Sequence, residues 1–172
     1  MNRKEDIDAR IETLQEELEK LKKQREWIEK PITERIKTFT DAVEELGSEH
    51  PLVKQYMAAA NGDEAFTRNT IAYMKLQIIA AALNEGWFPD LQRKEKRWYP
   101  YYKIYAGDEL NDIFPDASYL FGASCELACV SSDLAWSHSP SSLSARLAVK
   151  SEEISDYFGN QFIGIWAEYL LG

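Results

Sequence analysis

Residues 93–105 read RKEKRWYPYYKIY, and they mark the point where the period of the chain changes. Before them, apolar residues recur every three or four positions, as on one face of a helix; from Trp98 onward they alternate, as in a strand. The stretch holds five basic residues, five aromatics and one acid, within a chain of net charge −9. Alternation places Trp98, Pro100, Tyr102 and Ile104 on one face, suited to a core. Arg97, Tyr99, Tyr101, Lys103 and Tyr105 fall on the other. Pro100 has no N–H to give a ladder, which points to an edge strand. Three readings fit the second face. It is covered like the first, it anchors a protein partner through Tyr and Arg, or it stacks on single-stranded nucleic acid while its cations follow phosphates.

Working outward toward the C-terminus, candidate strands cover 97–105, 118–131 and 143–150. Tyr119, Phe121, Ala123, Cys125, Leu127 and Cys129 share one face of the second. Leu143, Ala145, Leu147 and Val149 share one face of the third. The connection SSDLAWSHSPSS at 131–142 carries Trp136 in a polar setting, either tucked over the sheet or offered to a partner. Ser151 is placed to cap a final helix, EEISDYFGNQFIGIWAEYLL, with Ile154, Phe158, Phe162, Ile165, Trp166 and Tyr169 as its buried stripe.

Toward the N-terminus the signals are helical. Thr38 and Asp41 have the spacing of a capping box, and Gly47 supplies a stop. Pro51 after His50 opens a helix that ends at Asn61-Gly62. Asp63 is expected to cap the next, with Phe66, Ile71, Met74, Ile78, Ala82 and Leu83 on its apolar face and Gly86 as its stop. Helices, then strands, then one helix give an α+β fold: a small antiparallel sheet of about three strands in a globular domain over 31–172, packed by a C-terminal helix.

Residues 1–30 are different. Ile7, Ile11, Leu14, Leu18, Leu21 and Ile28 follow a 4-3-4-3-7 spacing, with Lys4 and Arg25 as polar seam positions. That is a heptad repeat, and nearly everything around it is charged or amidic. The expected element is a coiled-coil helix that forms a homo-oligomer; the competing reading folds the stripe back on the body. In a parallel pair Arg3 would face Asp8 across the seam, and Glu17 would face Lys22, both attractive.

The totals narrow the function. The first thirty residues hold eight Lys/Arg and nine Asp/Glu; the remainder hold twelve and twenty, a net of −8, which disfavours non-specific duplex binding. So acidic a body could also imitate nucleic acid toward a DNA-binding protein. No apolar run approaches the length of a membrane span, and the start MNRKEDIDARIETL lacks a signal-peptide apolar region. The expected location is the cytoplasm or a virus particle. Cys125 and Cys129, four apart on a strand, stand about 13 Å from each other, too far for a disulfide. There is no phosphate loop, no dinucleotide fingerprint and no zinc spacing; His50 and His138 are isolated. Ser137-His138-Ser139 reads as a polar loop rather than a triad, and Glu126 has no carboxylate partner at a defined spacing. No cofactor, metal or catalytic residue is expected, and the chain reads as non-enzymatic.

ERIKTFTDAVEELG (34–47), AYMKLQIIAAALNEGWFPD (72–90), RWYPYYKIY and SARLAVKSEEISDYFGNQFIGIWAEYLL (144–171) together resemble a family of small proteins encoded by phages, prophages and mobile elements of Bacteroides-like gut bacteria. The resemblance covers about 32–171 and leaves the helical leader outside. Ala148 stands where members often carry Cys, a difference of packing. The resemblance implies a setting, the bacterial cytoplasm or a phage virion, and a role as virion component or accessory factor. It implies no particular activity, cofactor or catalytic residue.

Overall fold

The computed structural model describes residues 3–62, 66–90, 95–106, 118–121, 125–135 and 145–172; for Tyr105, Ala106, 118–121 and 125–135 the description is of the backbone. The chain divides into two compact units, Met1–Arg35 and Ile36–Gly172.

The first unit is mainly helix α1, Arg3–Ile28. Exposed ion pairs decorate it, Lys22 with Glu19 at 2.8 Å and Arg25 with Glu29 at 3.5 Å. Such exposed pairs are screened by solvent and add little to stability. The helix runs out just before Pro31, whose ring cannot continue it and whose carbonyl instead accepts from Glu34 and Arg35 at the start of α2, Ile32–Arg35.

The second unit opens with α3, Phe39–Leu46, and its capping box is formed. Asp41 N–H donates to Thr38 Oγ1 at 3.1 Å, and Thr38 N–H donates to Asp41 Oδ2 at 2.8 Å. Hydrogen bonds from the Lys37 and Thr38 backbone hold the Asp41 carboxyl below its usual range. Gly47, at φ 80°, ends the helix in a conformation that favours glycine. Helix α4, Pro51–Asn61, starts at His50, whose Nδ1 accepts from Leu52 N–H at 3.3 Å.

Helix α5, Arg68–Leu83, is the centre of the unit. It begins later than expected: Phe66 and Thr67 lie outside the helix, Thr67 is the capping position with an extended backbone, and Phe66 is exposed instead of facing the core. Asp63 lies outside the described residues. Leu76 to Ala80, Ala82 and Leu83 are buried around most of the helix circumference, with α3, α4 and α7 packed about it. The chain then reverses through Glu85 (φ 48°) and Gly86 (φ 83°), and Trp87 N–H donates back to Asn84 O at 2.8 Å.

Strands β1 (Arg97–Ala106), β2 (Ser118–Phe121) and β3 (Cys125–Ala135) form an antiparallel sheet in the order β1-β3-β2. Two strand expectations need correction. The second candidate, 118–131, is two strands, paired to each other. The third, 143–150, is not a strand: Ala145–Leu147 is a 3₁₀ turn, and Val149 makes one isolated antiparallel bridge with Trp98. The pattern misled because Leu147, Ala148 and Val149 are all buried in succession, so burial here does not alternate.

The physical reason lies in Asn84. Trp98 N–H donates to Val149 O at 3.1 Å, and Val149 N–H donates to Trp98 O at 3.0 Å. On the opposite edge, Asn84 Nδ2 donates to Ala148 O at 2.8 Å, and Lys150 N–H donates to Asn84 Oδ1 at 3.1 Å. One side-chain amide thus takes the place of a neighbouring strand, and the segment needs no ladder on that side.

The terminal helix is also two elements, α6 (Glu152–Gln161) and α7 (Ile163–Leu171), broken at buried Phe162. Ser151 caps α6 as expected, accepting from Ile154 N–H at 3.3 Å. The glycines Gly159 and Gly164 flank the break and lower helix propensity. Tyr102 Oη donates to Gly159 O at 2.9 Å, satisfying a carbonyl at the end of α6. Trp166, fully buried, sits against Phe158 at 5.1 Å and Tyr102 at 5.3 Å between ring centroids. Tyr157 Oη donates to Ile36 O at 2.6 Å, and Gln161 Nε2 donates to Lys37 O at 2.8 Å, fastening α6 to the segment that leads into α3.

Thr38→Ala removes one half of the α3 capping box, and we expect it to cost about 1 kcal/mol of unfolding free energy in a urea titration. An unchanged midpoint would show that the cap does not limit the stability of this unit.

Candidate functional sites: an exposed seam and an apolar cavity

Helix α1 carries the expected oligomerisation residues in the open. Ile7, Ile11, Leu14, Leu18, Leu21 and Ile28 are between 48% and 68% exposed. Trp27 is also exposed, with Lys30 Nζ 5.1 Å above its ring. All six side chains lie on one helical unit.

Strand β1 is different from the expected aromatic ladder. Arg97 and Tyr99 are buried, at 0% and 1% exposure, so neither belongs to a surface. Tyr99 packs with Ala148, and Trp87 lies against that pair. Burial changes along the strand rather than between its faces. Arg97, Tyr99 and Pro100 are buried, whereas Tyr101, Lys103 and Ile104 are exposed. The register shifts between Tyr101 and Tyr102, opposite Ser131 and Cys129, so that Val130 is the extra residue of a bulge. The first half of the strand is held down by the Val149 bridge, and the second half extends past it. Tyr105 pairs its backbone with Glu126; Trp136 and the 137–139 loop lie outside the described residues. The nucleic-acid reading therefore loses two of its five strand residues to the core.

No family model, curated protein or solved structure matches this chain. Among the described residues no group of three His, Cys, Asp or Glu side chains is gathered as a metal site, and no helix is long and apolar enough to cross a membrane.

A cavity of about 510 Å³ opens within the second unit. Leu46 of α3 and His50 and Leu52 at the start of α4 line it on one side; Gln77, Ala81 and Asn84 of α5 line it on another. The turn after α5 adds Trp87, Phe88 and Pro89, and the 3₁₀ segment adds Arg146 and Ala148. Among the described residues the lining is chiefly apolar and none of it is acidic, in a body whose net charge is −8. Phe88 is 76% exposed, and Arg146 is exposed as well, so this side of the cavity meets solvent.

Two side chains fix the wall. Asn84 is committed to Ala148 and Lys150 as described above. Trp87 Nε1–H donates to Glu95 Oε1 at 2.9 Å, and Asp90 N–H donates to Glu95 Oε2 at 2.9 Å. These hydrogen bonds, that from Asp90 first and that from Trp87 second, hold the Glu95 carboxyl below its usual range, with a further pull from Arg97. Gln77 is the exception: it is 5% exposed, and its Nε2 has no hydrogen-bond partner among the described residues. None of these residues stood out as a site in the sequence. The available signal was a glutamine within the apolar run LQIIAAAL.

Because its pKa is depressed, Glu95 supports the Trp87 turn fully above the ordinary carboxylate range, and that support is lost as pH falls through and below that range. Tryptophan emission should therefore change through that acid range in the wild-type chain, before global unfolding. In Glu95→Gln the step should be absent; an identical acid step in both proteins would show that Glu95 does not hold the turn.

Proposed function

We propose that the protein is a non-enzymatic interaction or assembly protein, in which α1 pairs with α1 of a second copy and an α+β body carries the binding function. One observation carries the reading: six heptad-spaced Ile and Leu side chains are about half exposed or more along a helix that belongs to its own compact unit. Burying half of such a side chain is worth about 1 kcal/mol, so the row supplies a clear drive to pair. Knobs-into-holes packing is the geometry this spacing suits. Arg3 opposite Asp8 and Glu17 opposite Lys22 favour a parallel pair, and Arg25 on the seam limits how many registers are tolerable.

The resemblance to phage and mobile-element proteins supports a role as virion component or accessory factor, in a bacterial cytoplasm or a phage particle. Tyr101, Lys103 and Ile104, exposed at the far end of β1, are the part of the strand open to a protein partner.

Light scattering on the full chain should give a mass at least twice the 19.8 kDa of one copy. Leu14→Lys with Leu18→Lys, or removal of residues 1–30, should lower it to a single copy while circular dichroism still reports a folded body. A full-length chain that stays at one copy across about a hundredfold range of micromolar concentration would sink the proposal.

A further inference from the structure

We propose that α1 carries a second docking surface, on the face opposite its Ile/Leu seam, and that this surface takes the same face of another α1 running in the opposite direction. The inference rests on the pairing of α1 through its seam and adds a contact between the resulting pairs.

With the seam residues at positions a and d of the heptad, Asp6, Thr13, Lys20 and Trp27 fall at c, and Ala9, Glu16, Lys23 and Lys30 fall at f. In chain order these residues follow alternating steps of three and four, as the seam does, so they make a continuous stripe on the far side of the helix. All of them are exposed. Lys30, just past the helix end, stays on the stripe with its Nζ 5.1 Å from the Trp27 ring centroid. Because Trp27 sits at c, seam pairing leaves its ring uncovered.

Charge is segregated along this rod. Residues 1–19 hold three basic and seven acidic side chains, a net of −4; residues 20–30 hold five and two, a net of +3. The helix dipole favours acids at the start and cations at the end, but its influence falls off within the first and last turns. It does not account for Glu12, Glu16, Lys20 and Lys23 in the interior. Local pairing does not account for them either. Opposite signs meet one turn apart only where the halves join, at Glu16 and Lys20 and around Glu19. Within the halves Glu12 and Glu16 are like-charged neighbours, and so are Lys20 and Lys23, an arrangement that weakens an isolated helix.

An antiparallel partner answers both halves at once. With the contact centred near residue 18, Asp6 stands opposite Lys30, Glu16 opposite Lys20 and Thr13 opposite Lys23, each twice about a two-fold axis. Trp27 then falls opposite Ala9, the smallest residue of the stripe. A shallow depression of about 340 Å³ lies there, bordered by Asp6, Ala9, Arg10 and Thr13, and it gives the ring a place to seat. A parallel contact through the same face would set acid against acid and lysine against lysine, so the charges fix the direction.

Sedimentation velocity on the full chain tests the contact, in about 20 mM and about 500 mM NaCl, where the Debye length is about 20 Å and about 4 Å. In high salt the apolar seam holds and the mass is that of two copies; in low salt the mass should double. The net charge of −9 per copy opposes association in low salt, so a mass that rises as salt falls requires local attraction. Lys20→Glu with Lys23→Glu should stay at two copies in low salt, and so should Glu12→Lys with Glu16→Lys. Neither variant touches the seam, and two copies in high salt establish that its rod is intact. An equimolar mixture of the two variants should regain the doubled mass, because acid again meets base on both sides of the contact. Two copies of the wild type at both salt concentrations would overturn this inference and leave the seam pairing standing. One copy at both would remove the seam pairing and this contact with it. A doubled mass that persists in either variant alone would also overturn the inference, since the contact would then lie elsewhere.

Discussion

The second unit depends on a three-residue stitch. Val149 is bonded to Trp98 on one edge, while the carbonyl before it and the N–H after it are bonded to Asn84 on the other. Four hydrogen bonds between about 2.8 and 3.1 Å thereby join the end of α5, the start of β1 and the lead into α6. These elements are far apart in sequence, 64 residues separating Asn84 from Ala148. Asn84, Ala148 and Val149 are buried, so a backbone group left unpaired among them would cost about as much as the bond it lost. Lys150 adds an ion pair with Glu85 at 2.6 Å, at the edge of the stitch rather than within it.

Much else follows from that placement. With 148–150 fixed against β1, the side chains of Tyr99 and Ala148 meet and Trp87 closes over them. That contact explains why the basic-aromatic strand is not a free ladder. Its first half belongs to the stitch and its second half does not. The cavity is the other consequence. Asn84, Trp87 and Ala148 belong to the stitch and its surroundings, and they line the cavity together with α3, α4 and the middle of α5. The same hydrogen bonds that join these elements also shape the space beside them.

Helices were the more legible part of the sequence because their determinants are local. The Thr38–Asp41 box, the His50-Pro51 start, the Asn61-Gly62 end and the Ser151 cap each depend on residues within a few positions of one another, and each is present. The heptad row of α1 needs only its own spacing. Errors arise where a distant group decides. Alternation at 143–150 suggested a strand, but a side-chain amide from α5 holds one edge. The apolar stripe of 152–171 suggested one helix, whereas Phe162 breaks it and Tyr102 caps the carbonyl of Gly159. Burial of Arg97 and Tyr99 was equally hidden, because strand alternation sorts faces without saying whether both are covered. For the cavity, sequence offered only Gln77 as a polar residue in an apolar run; that its nitrogen has no partner among the described residues is a tertiary fact.

Arg97 shows how the charge of the chain is used. All three guanidinium nitrogens are buried without a hydrogen-bond partner among the described residues, an arrangement that is costly unless another charge favours the cation. One nearby charge does so. Glu95, two residues away, is held ionised in part by Arg97 itself, and the attraction is mutual. The Glu95 carboxylate meanwhile spends its two oxygens on Trp87 and Asp90. A single carboxylate therefore serves three groups: two by direct hydrogen bonds and one through space. Neutralising it would loosen the Trp87 turn and leave the Arg97 charge less compensated at once.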